Sequence, residues 1–81
     1  MTDIEIIEKL QALAADILEI NPVTFQPDTK QADIPEWDSL GHLRLMMAIE
    51  EAFNIKLSMV EIPTYNSVNV LMTAIRKQLN S

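Results

Sequence analysis

Few side chains of this chain of 81 residues could take part in chemistry. The sequence contains no cysteine and one histidine, His42, which excludes a catalytic cysteine, a disulfide framework and a metal site built from thiolates or clustered histidines. A serine–histidine pair would have to use His42, and the sequence offers no convergent set of nucleophile, base and oxyanion donors. We therefore expect no catalytic residue, no metal site and no enzymatic activity.

The serine of most interest is Ser39, which follows Asp38 directly before a strongly helical stretch, residues 40–53. Either residue can cap that helix, because each short side chain carries an oxygen that can accept a backbone N–H. For the bare Asp-Ser pair, an ordinary cap is the favoured interpretation. Gly41, the only glycine, costs about 1 kcal/mol in a helix relative to alanine, so its position indicates a need for low bulk near Ser39.

The charge of the chain restricts its partners. Twelve acidic residues against six basic ones give a formal net charge of −6, whereas a nucleic-acid binder needs clustered lysine and arginine. The basic residues are instead scattered: Lys9, Lys30, Arg44, Lys56, Arg76 and Lys77. We expect no nucleic acid and no anionic membrane as partner. The acidic surface either steers a basic protein partner or only confers solubility.

The length is that of one domain, residues 1–81. No apolar run reaches the roughly 20 residues that cross a bilayer, and the acidic start Met-Thr-Asp-Ile-Glu does not form a secretory signal. We expect a cytoplasmic monomer.

Capping signals and apolar spacing predict three main helices. Thr2 and Glu5 have the spacing of a capping box and precede a helical pattern over residues 3–19, which Asn21-Pro22 ends. The second helix, residues 40–53, ends at Asn54, and Ser67 caps the last one. Its predicted inner face holds five residues: Val68, Leu71, Ala74, Ile75 and Leu79.

Two further segments complete the predicted fold. Residues 20–37 contain three prolines and form a long loop between helices 1 and 2, anchored by Val23, Phe25 and Ile34. Residues 58–61 repeat the capping-box spacing, and Pro63 limits the helix that follows to barely a turn. No segment alternates apolar and polar residues. The prediction is an all-α fold, a small four-helix bundle of three main helices and one short one.

The second helix carries two apolar stripes when its residues are placed at about 100° intervals. The core stripe contains Leu45, Met46, Ile49 and Phe53, with Ala52 beside it. The other contains Leu40, Leu43 and Met47, with Arg44, Glu50 and Glu51 among or beside them. Either the helix is buried on both sides or the second stripe is a docking surface. We place Leu43 in the core in both cases and expect Leu40 or Met47 to be exposed.

His42 lies in the core-side sector of the same helix, near its start. A packed or hydrogen-bonded structural role is therefore favoured over a catalytic one.

The stretch Glu-Trp-Asp-Ser-Leu-Gly-His-Leu at 36–43 and its continuation Met-Ala-Ile-Glu-Glu-Ala-Phe at 47–53 resemble acyl carrier proteins. The Asp-Ser-Leu triplet at the start of a helix is the attachment signature of that family. Tryptophan just before it is similar to small free-standing carriers outside the main fatty-acid pathway. The resemblance covers essentially the whole chain, counting helix order and loop lengths.

The resemblance implies an acyl-carrier-like fold and a carrier function. Ser39, flanked by Asp38 and Leu40, would carry 4′-phosphopantetheine through a phosphodiester, added from coenzyme A by a phosphopantetheinyl transferase. The thiol at the end of this arm would hold the cargo as a thioester. The free N–H groups and positive dipole of a helix N-terminus favour the resulting phosphate. Trp37 either packs over the helix start or touches the arm, and packing is favoured because an exposed tryptophan is costly.

The partners implied by the resemblance are acyl-loading and acyl-transferring enzymes. Their expected docking residues lie on the second helix: Leu40, Arg44, Met47, Glu50 and Glu51. Many carriers have acidic residues along this face, but here the two matching positions near the helix start hold Gly41 and Arg44. This departure leads to the hypothesis of a specialised partner with an acidic spot opposite Arg44.

Two alternatives remain open at this stage. The cargo could be aminoacyl or peptidyl rather than fatty acyl, polyketide or a specialised small acid. The chain could also be an unmodified helical interaction module, which would use Leu40 and Met47 for docking and would not need Ser39.

Overall fold

The computed structural model describes residues 1–80, and three α-helices form its framework: α1 (Asp3–Leu18), α2 (Ser39–Phe53) and α3 (Val68–Leu79). Three short 3₁₀ turns lie in the connections, at Pro22–Thr24, Gln31–Asp33 and Ile62–Thr64. The part of the chain described contains no strand, and none of its helices is long and apolar enough to cross a membrane. The all-α prediction is confirmed.

Local hydrogen bonds define where α1 begins. The Thr2 hydroxyl accepts from the N–H of Glu5 at 3.2 Å, and the Glu5 carboxylate accepts from the N–H of Thr2 at 2.9 Å. The hydrogen bond from the Thr2 backbone also lowers the pKa of Glu5. The predicted capping box is therefore confirmed.

The end of α1 comes slightly earlier than expected. Glu19 adopts the left-handed conformation at the C-cap, with φ of 56°, so the helix stops before Asn21-Pro22 is reached. Pro22 instead begins the first 3₁₀ turn, and the Asn21 side chain caps that turn by accepting from the N–H of Val23 at 3.0 Å.

The short fourth helix is not where the sequence placed it. Residues 59–61 form a turn, and the helical element that follows is the 3₁₀ turn Ile62–Thr64, which contains Pro63 rather than ending before it. Proline suits the first turn of a helix because the N–H that it lacks would have no partner there. The carbonyl of Ser58 accepts from the N–H groups of both Glu61 and Ile62.

The core lies where the three helices meet. Fully buried side chains come from each helix: Ile6, Leu10 and Ala14 of α1, Leu45, Met46 and Ile49 of α2, and Val68, Leu71 and Ile75 of α3. Two positions depart from the predicted faces. Leu79 is exposed near the end of α3, whereas Met72, which was not predicted, is buried.

The long connection between α1 and α2 is held against the bundle by its own side chains. Phe25, Ile34 and Trp37 are buried, and the rings of Phe25 and Trp37 lie 5.2 Å apart. The Gln11 side-chain amide of α1 donates to the carbonyl of Phe25 at 3.1 Å. Val23 was expected to be a third anchor alongside Phe25 and Ile34, but it is 68% exposed, because the 3₁₀ turn that contains it directs its side chain away from the helices.

The same connection is also tied to the segment around the start of α3. The N–H of Gln31 donates to the carbonyl of Asn66 at 2.8 Å, and the N–H of Val68 donates to the carbonyl of Thr29 at 2.9 Å. An isolated antiparallel bridge joins Lys30 to Ser67. The connection is thus fixed both to α1 and to the start of α3.

Phe25 and Val23, one buried and one exposed, allow a matched test of how the long connection is anchored. Phe25→Ala should lower the free energy of unfolding by about 3–5 kcal/mol, because it empties a fully buried site. Val23→Ala should change it by less than about 0.5 kcal/mol, because the side chain is already in water. Chemical denaturation of both variants measures the difference, and similar losses in the two would contradict the anchoring described here.

Candidate functional site

Ser39 is the first residue of α2, and its side chain is exposed. Of the two residues that could cap the helix, Asp38 does so: its carboxylate accepts from the N–H of Gly41 at 2.8 Å. The carbonyl of Asp38 also accepts from the N–H of His42 at 2.8 Å. Since Asp38 performs the capping, the Ser39 hydroxyl is left unengaged within residues 1–80.

The position of Ser39 at a helix start also sets its electrostatic surroundings. The first N–H groups of a helix have no partner inside it, and the helix dipole places partial positive charge there. Both effects stabilise a phosphate group at such a position. A phosphodiester on the Ser39 oxygen therefore fits the chemistry of this end of α2.

Gly41 allows the start of α2 to pack closely against two other segments. A Cβ at this position would lie 2.8 Å from the carbonyl oxygen of Glu36, 2.9 Å from Cδ2 of Leu18 and 3.2 Å from Oδ1 of Asp38. The low bulk that the sequence indicated near Ser39 is thus required by the end of α1 and by the backbone that leads into α2.

His42 is buried, with 6% of its surface exposed, and both of its ring nitrogens are engaged. The indole N–H of Trp37 donates to Nδ1 at 2.8 Å. An indole can only donate, so Nδ1 must accept, and the hydrogen of the neutral ring is then on Nε2. Nε2 donates to the carbonyl of Ile62 at 2.8 Å.

This arrangement decides two questions that the sequence left open. His42 is a structural histidine, because neither nitrogen is free to act as a base. Trp37 packs inside the protein rather than over its surface. Each hydrogen bond contributes about 0.5–1.5 kcal/mol, and leaving a buried partner unsatisfied costs about 1–3 kcal/mol.

An open cavity of about 370 Å³ lies beside Ser39, between α2 and the turn Ile62–Thr64. Its lining combines polar and apolar side chains: Gln31, Ser39, His42, Leu43, Ile62 and Pro63. We call it the Ser39 groove. The sequence did not identify Gln31, Ile62 or Pro63 as site residues, because they come from separate connections and share no motif with Ser39.

A second cavity, of about 260 Å³, lies between the end of α1 and the start of α2. Three carboxylate residues, Glu19, Glu36 and Asp38, line it together with Arg44. Arg44 nevertheless forms no ion pair within residues 1–80; the salt bridge found there joins Arg76 to Asp3 at 3.0 Å. The charge of Arg44 is therefore available at the surface.

The second apolar stripe of α2 is exposed. Leu40 is 57%, Leu43 44% and Met47 62% exposed, so the expectation that Leu43 belongs to the core is wrong. The core side of α2 is already filled by other residues: His42, Leu45, Met46, Ile49 and Phe53. Leu43 lies three residues after Leu40 and four before Met47, on the same outward face.

The remaining expected docking residues differ in their surroundings. Arg44 and Glu51 are exposed, whereas Glu50 is half-buried. The Glu50 carboxylate accepts from the N–H of Leu57 at 2.9 Å and so holds the connection that follows α2. Two exposed apolar residues of that connection, Met59 and Val60, were not identified from the sequence, which read them as part of the short helix.

The described residues contain no cluster of three or more side chains that could hold a metal ion. What the site offers is an exposed, unengaged hydroxyl at a helix start, a groove beside it and an apolar stripe next to an unpaired arginine.

Comparisons with known proteins match the sequence that forms this site to a family. The model of the phosphopantetheine attachment site matches residues 8–75. The acyl carrier protein of Thermosynechococcus vestitus is 37% identical over 57 residues, which are 70% of this chain and 70% of that protein. The acyl carrier protein of Guillardia theta is 39% identical over 57 residues, again 70% of each chain.

Gly41 gives a testable prediction about the packing at this site. Gly41→Ala should lower the free energy of unfolding by about 1–3 kcal/mol, because the added Cβ meets the backbone carbonyl of Glu36, although alanine is the better helix former by about 1 kcal/mol. Ala12→Gly, at an exposed position of α1, is the control for that helix preference. Thermal unfolding of both variants tests the prediction, and a Gly41→Ala variant as stable as the parent would contradict it.

Proposed function

The chain belongs to the acyl carrier protein family, and from this premise we propose that Ser39 is the residue that carries its 4′-phosphopantetheine arm. The family model covers most of the chain, residues 8–75. The protein is therefore a carrier and not an enzyme, and its cofactor is phosphopantetheine. When attached, this group supplies the thiol that holds the cargo as a thioester.

One observation carries the choice of Ser39: its hydroxyl is exposed and unengaged at the start of α2, beside a groove. The other described serines differ in this respect. The Ser67 hydroxyl caps α3 by accepting from the N–H of Val70 at 3.2 Å. Ser58 is exposed but does not begin a helix. Only Ser39, among residues 1–80, combines a free hydroxyl with a helix N-terminus.

The residues around Ser39 position it without activating it. Asp38 fixes the first turn of α2 through its bond to Gly41 and so leaves the Ser39 hydroxyl free of the capping role. His42, three residues along, has both nitrogens engaged. His42 is therefore not the base that takes the proton of the Ser39 hydroxyl, and we assign that role to the phosphopantetheinyl transferase.

A carrier acts through partner enzymes, and the exposed stripe of α2 supports a proposal for where they dock. Leu40, Leu43 and Met47 offer an apolar surface next to Ser39, and methionine adapts to partners of different shape. Arg44 lies within this surface, and its charge has no ion-pair partner among the residues described, 1–80. We propose that the partner places an acidic residue opposite Arg44 and apolar residues opposite the stripe. Glu51 and the half-buried Glu50 then contact the edge of the partner's surface.

The remaining features of the proposal follow from charge. A net charge of −6 opposes association of the chain with copies of itself and with nucleic acid, which supports a monomer that works with protein partners.

A cytoplasmic location stays a prediction. No observation favours an unmodified interaction module over the carrier, because a carrier uses the same exposed stripe for docking.

The attachment at Ser39 is tested by the intact mass of the protein. After incubation with coenzyme A and a promiscuous phosphopantetheinyl transferase, the chain should gain the mass of one arm, because Ser39 presents a free hydroxyl. Ser39→Ala should show no gain, and the control Ser58→Ala should gain as the parent does. A gain that persists in folded Ser39→Ala would place the attachment elsewhere.

The role of Arg44 is tested by charge reversal. Arg44→Glu should reduce kcat/KM for loading by the cognate enzyme about tenfold or more, because a like charge would then face the acidic residue of the partner. Lys77→Glu, which makes the same change of net charge on α3, is the control and should have little effect. Equal loading of the parent and Arg44→Glu would rule out the acidic contact.

A further inference from the structure

We propose that the cargo of this carrier stays outside the helical bundle and that His42 is the residue that excludes it. The inference rests on the proposed attachment at Ser39. It concerns the kind of cargo that the chain carries, which neither the family nor the stripe on α2 decides.

Of the two cavities beside the start of α2, Ser39 lines only the Ser39 groove. The Ser39 groove, of about 370 Å³, runs between α2 and the turn Ile62–Thr64. The neighbouring cavity of about 260 Å³ is lined by Glu19, Glu36, Asp38 and Arg44 together with the apolar Ile17, Leu18 and Leu40, but Ser39 does not line it. A group attached to Ser39 therefore turns toward the groove.

His42 separates the groove from the core. It lines the groove and is nonetheless buried, so its ring lies between the open volume and the interior. The Nε2–H to Ile62 carbonyl bond, 2.8 Å long, joins α2 to the turn across a sequence distance of 20 residues. A chain that passed between α2 and the turn would have to break this bond.

Separating α2 from the turn Ile62–Thr64 would remove the hydrogen-bond partners of more than one polar group. Displacing His42 would leave the Ile62 carbonyl without the imidazole and the Trp37 indole N–H without its acceptor. Buried donors and acceptors that lose their partners are strongly unfavourable. Within residues 1–80, every buried side-chain nitrogen and oxygen has a hydrogen-bond partner. The arrangement with His42 in place therefore leaves none of these buried groups without a partner.

The interior behind His42 is occupied. Trp37 is buried against Phe25, with ring centroids 5.2 Å apart, and the indole also packs beside His42 at 5.8 Å. Leu45 and Met46, the next inward residues of α2, have no exposed surface. An alkyl chain would have to displace a large aromatic side chain as well as the hydrogen bonds.

These observations indicate the class of cargo. A long alkyl chain that finds no interior stays in water, where it loses the stabilisation that burial would give. The Ser39 groove is open and partly polar, with Gln31 and His42 beside Leu43, Ile62 and Pro63. It fits a short acyl group, or one that carries polar substituents, better than a long fatty chain.

The test compares two forms of the protein loaded at Ser39, one from acetyl-coenzyme A and one from octanoyl-coenzyme A, with loading checked by intact mass. The two forms should have the same Tm to within about 1 °C, whereas burial of the longer chain would raise it by about 10 °C or more. The backbone amide resonances of Leu45, Met46 and Ile75 should coincide in the two forms. A higher Tm together with shifted core amides in the octanoyl form would overturn the proposal.

The role of His42 is tested with His42→Ala, which removes both hydrogen bonds and opens the floor of the groove. In this variant the octanoyl form should melt several degrees above the acetyl form, because the chain can enter. Leu79→Ala shortens an exposed apolar side chain of α3 that does not line the groove, leaves these bonds in place and should behave as the parent. Equal melting of the two loaded forms of His42→Ala would show that another residue excludes the cargo.

Two measurements keep the outcome clear. If His42→Ala does not fold, nuclear Overhauser contacts in the parent decide: contacts of the octanoyl methyl with Leu43 or Pro63 alone support exclusion, and contacts with Leu45 or Met46 overturn it. Failure of the mass gain at Ser39 would overturn the proposed attachment. A normal mass gain with cargo in the core would overturn only the inference about His42.

Discussion

The hydrogen-bonded chain from Trp37 through His42 to Ile62 joins the three parts of the molecule that form the site. Trp37 ends the long connection after α1, His42 belongs to the first turns of α2, and Ile62 begins the 3₁₀ turn before α3. Because the indole can only donate and the carbonyl can only accept, a neutral imidazole with its hydrogen on Nε2 satisfies both. The positions of these three segments are therefore mutually dependent, and Ser39 lies at their junction.

The hydrogen bonds of His42 also determine which face of α2 is turned inward and which is turned outward. The inner face is occupied by His42 and the apolar residues that continue its line, Leu45, Met46 and Ile49. The outer face, with Leu40, Leu43 and Met47, is then left largely exposed. A helix with one apolar stripe in the core and another in water is unusual for a protein that acts alone. In a carrier it is expected, because successive enzymes must recognise the residues around the arm.

The start of α2 combines rigidity with accessibility. Asp38 satisfies the N–H of Gly41, and the absence of a side chain at Gly41 lets the Glu36 carbonyl and Leu18 approach closely. The Ser39 hydroxyl beside this close packing is exposed and has no hydrogen bond within residues 1–80. Arg44 forms no ion pair within residues 1–80 and lies beside the carboxylates that line its cavity, so this end of the molecule carries charges of both signs.

The sequence alone determined the features that depend on neighbouring residues. The capping box of Thr2 and Glu5 and the cap at Ser67 each join groups three residues apart, so composition and spacing are sufficient to predict them. The sequence also placed the start of α2 at Asp38-Ser39, but the structure decided that Asp38 is the cap. The position of Ser39 and the two stripes of α2 could be read in the same way. Only the tertiary structure decided that Leu43 faces water, that Val23 does not anchor the long connection, and that Pro63 lies inside a 3₁₀ turn. It also supplied Ile62 as the partner of His42, because a contact between residues 20 positions apart depends on how the whole chain packs and leaves no local pattern in the sequence.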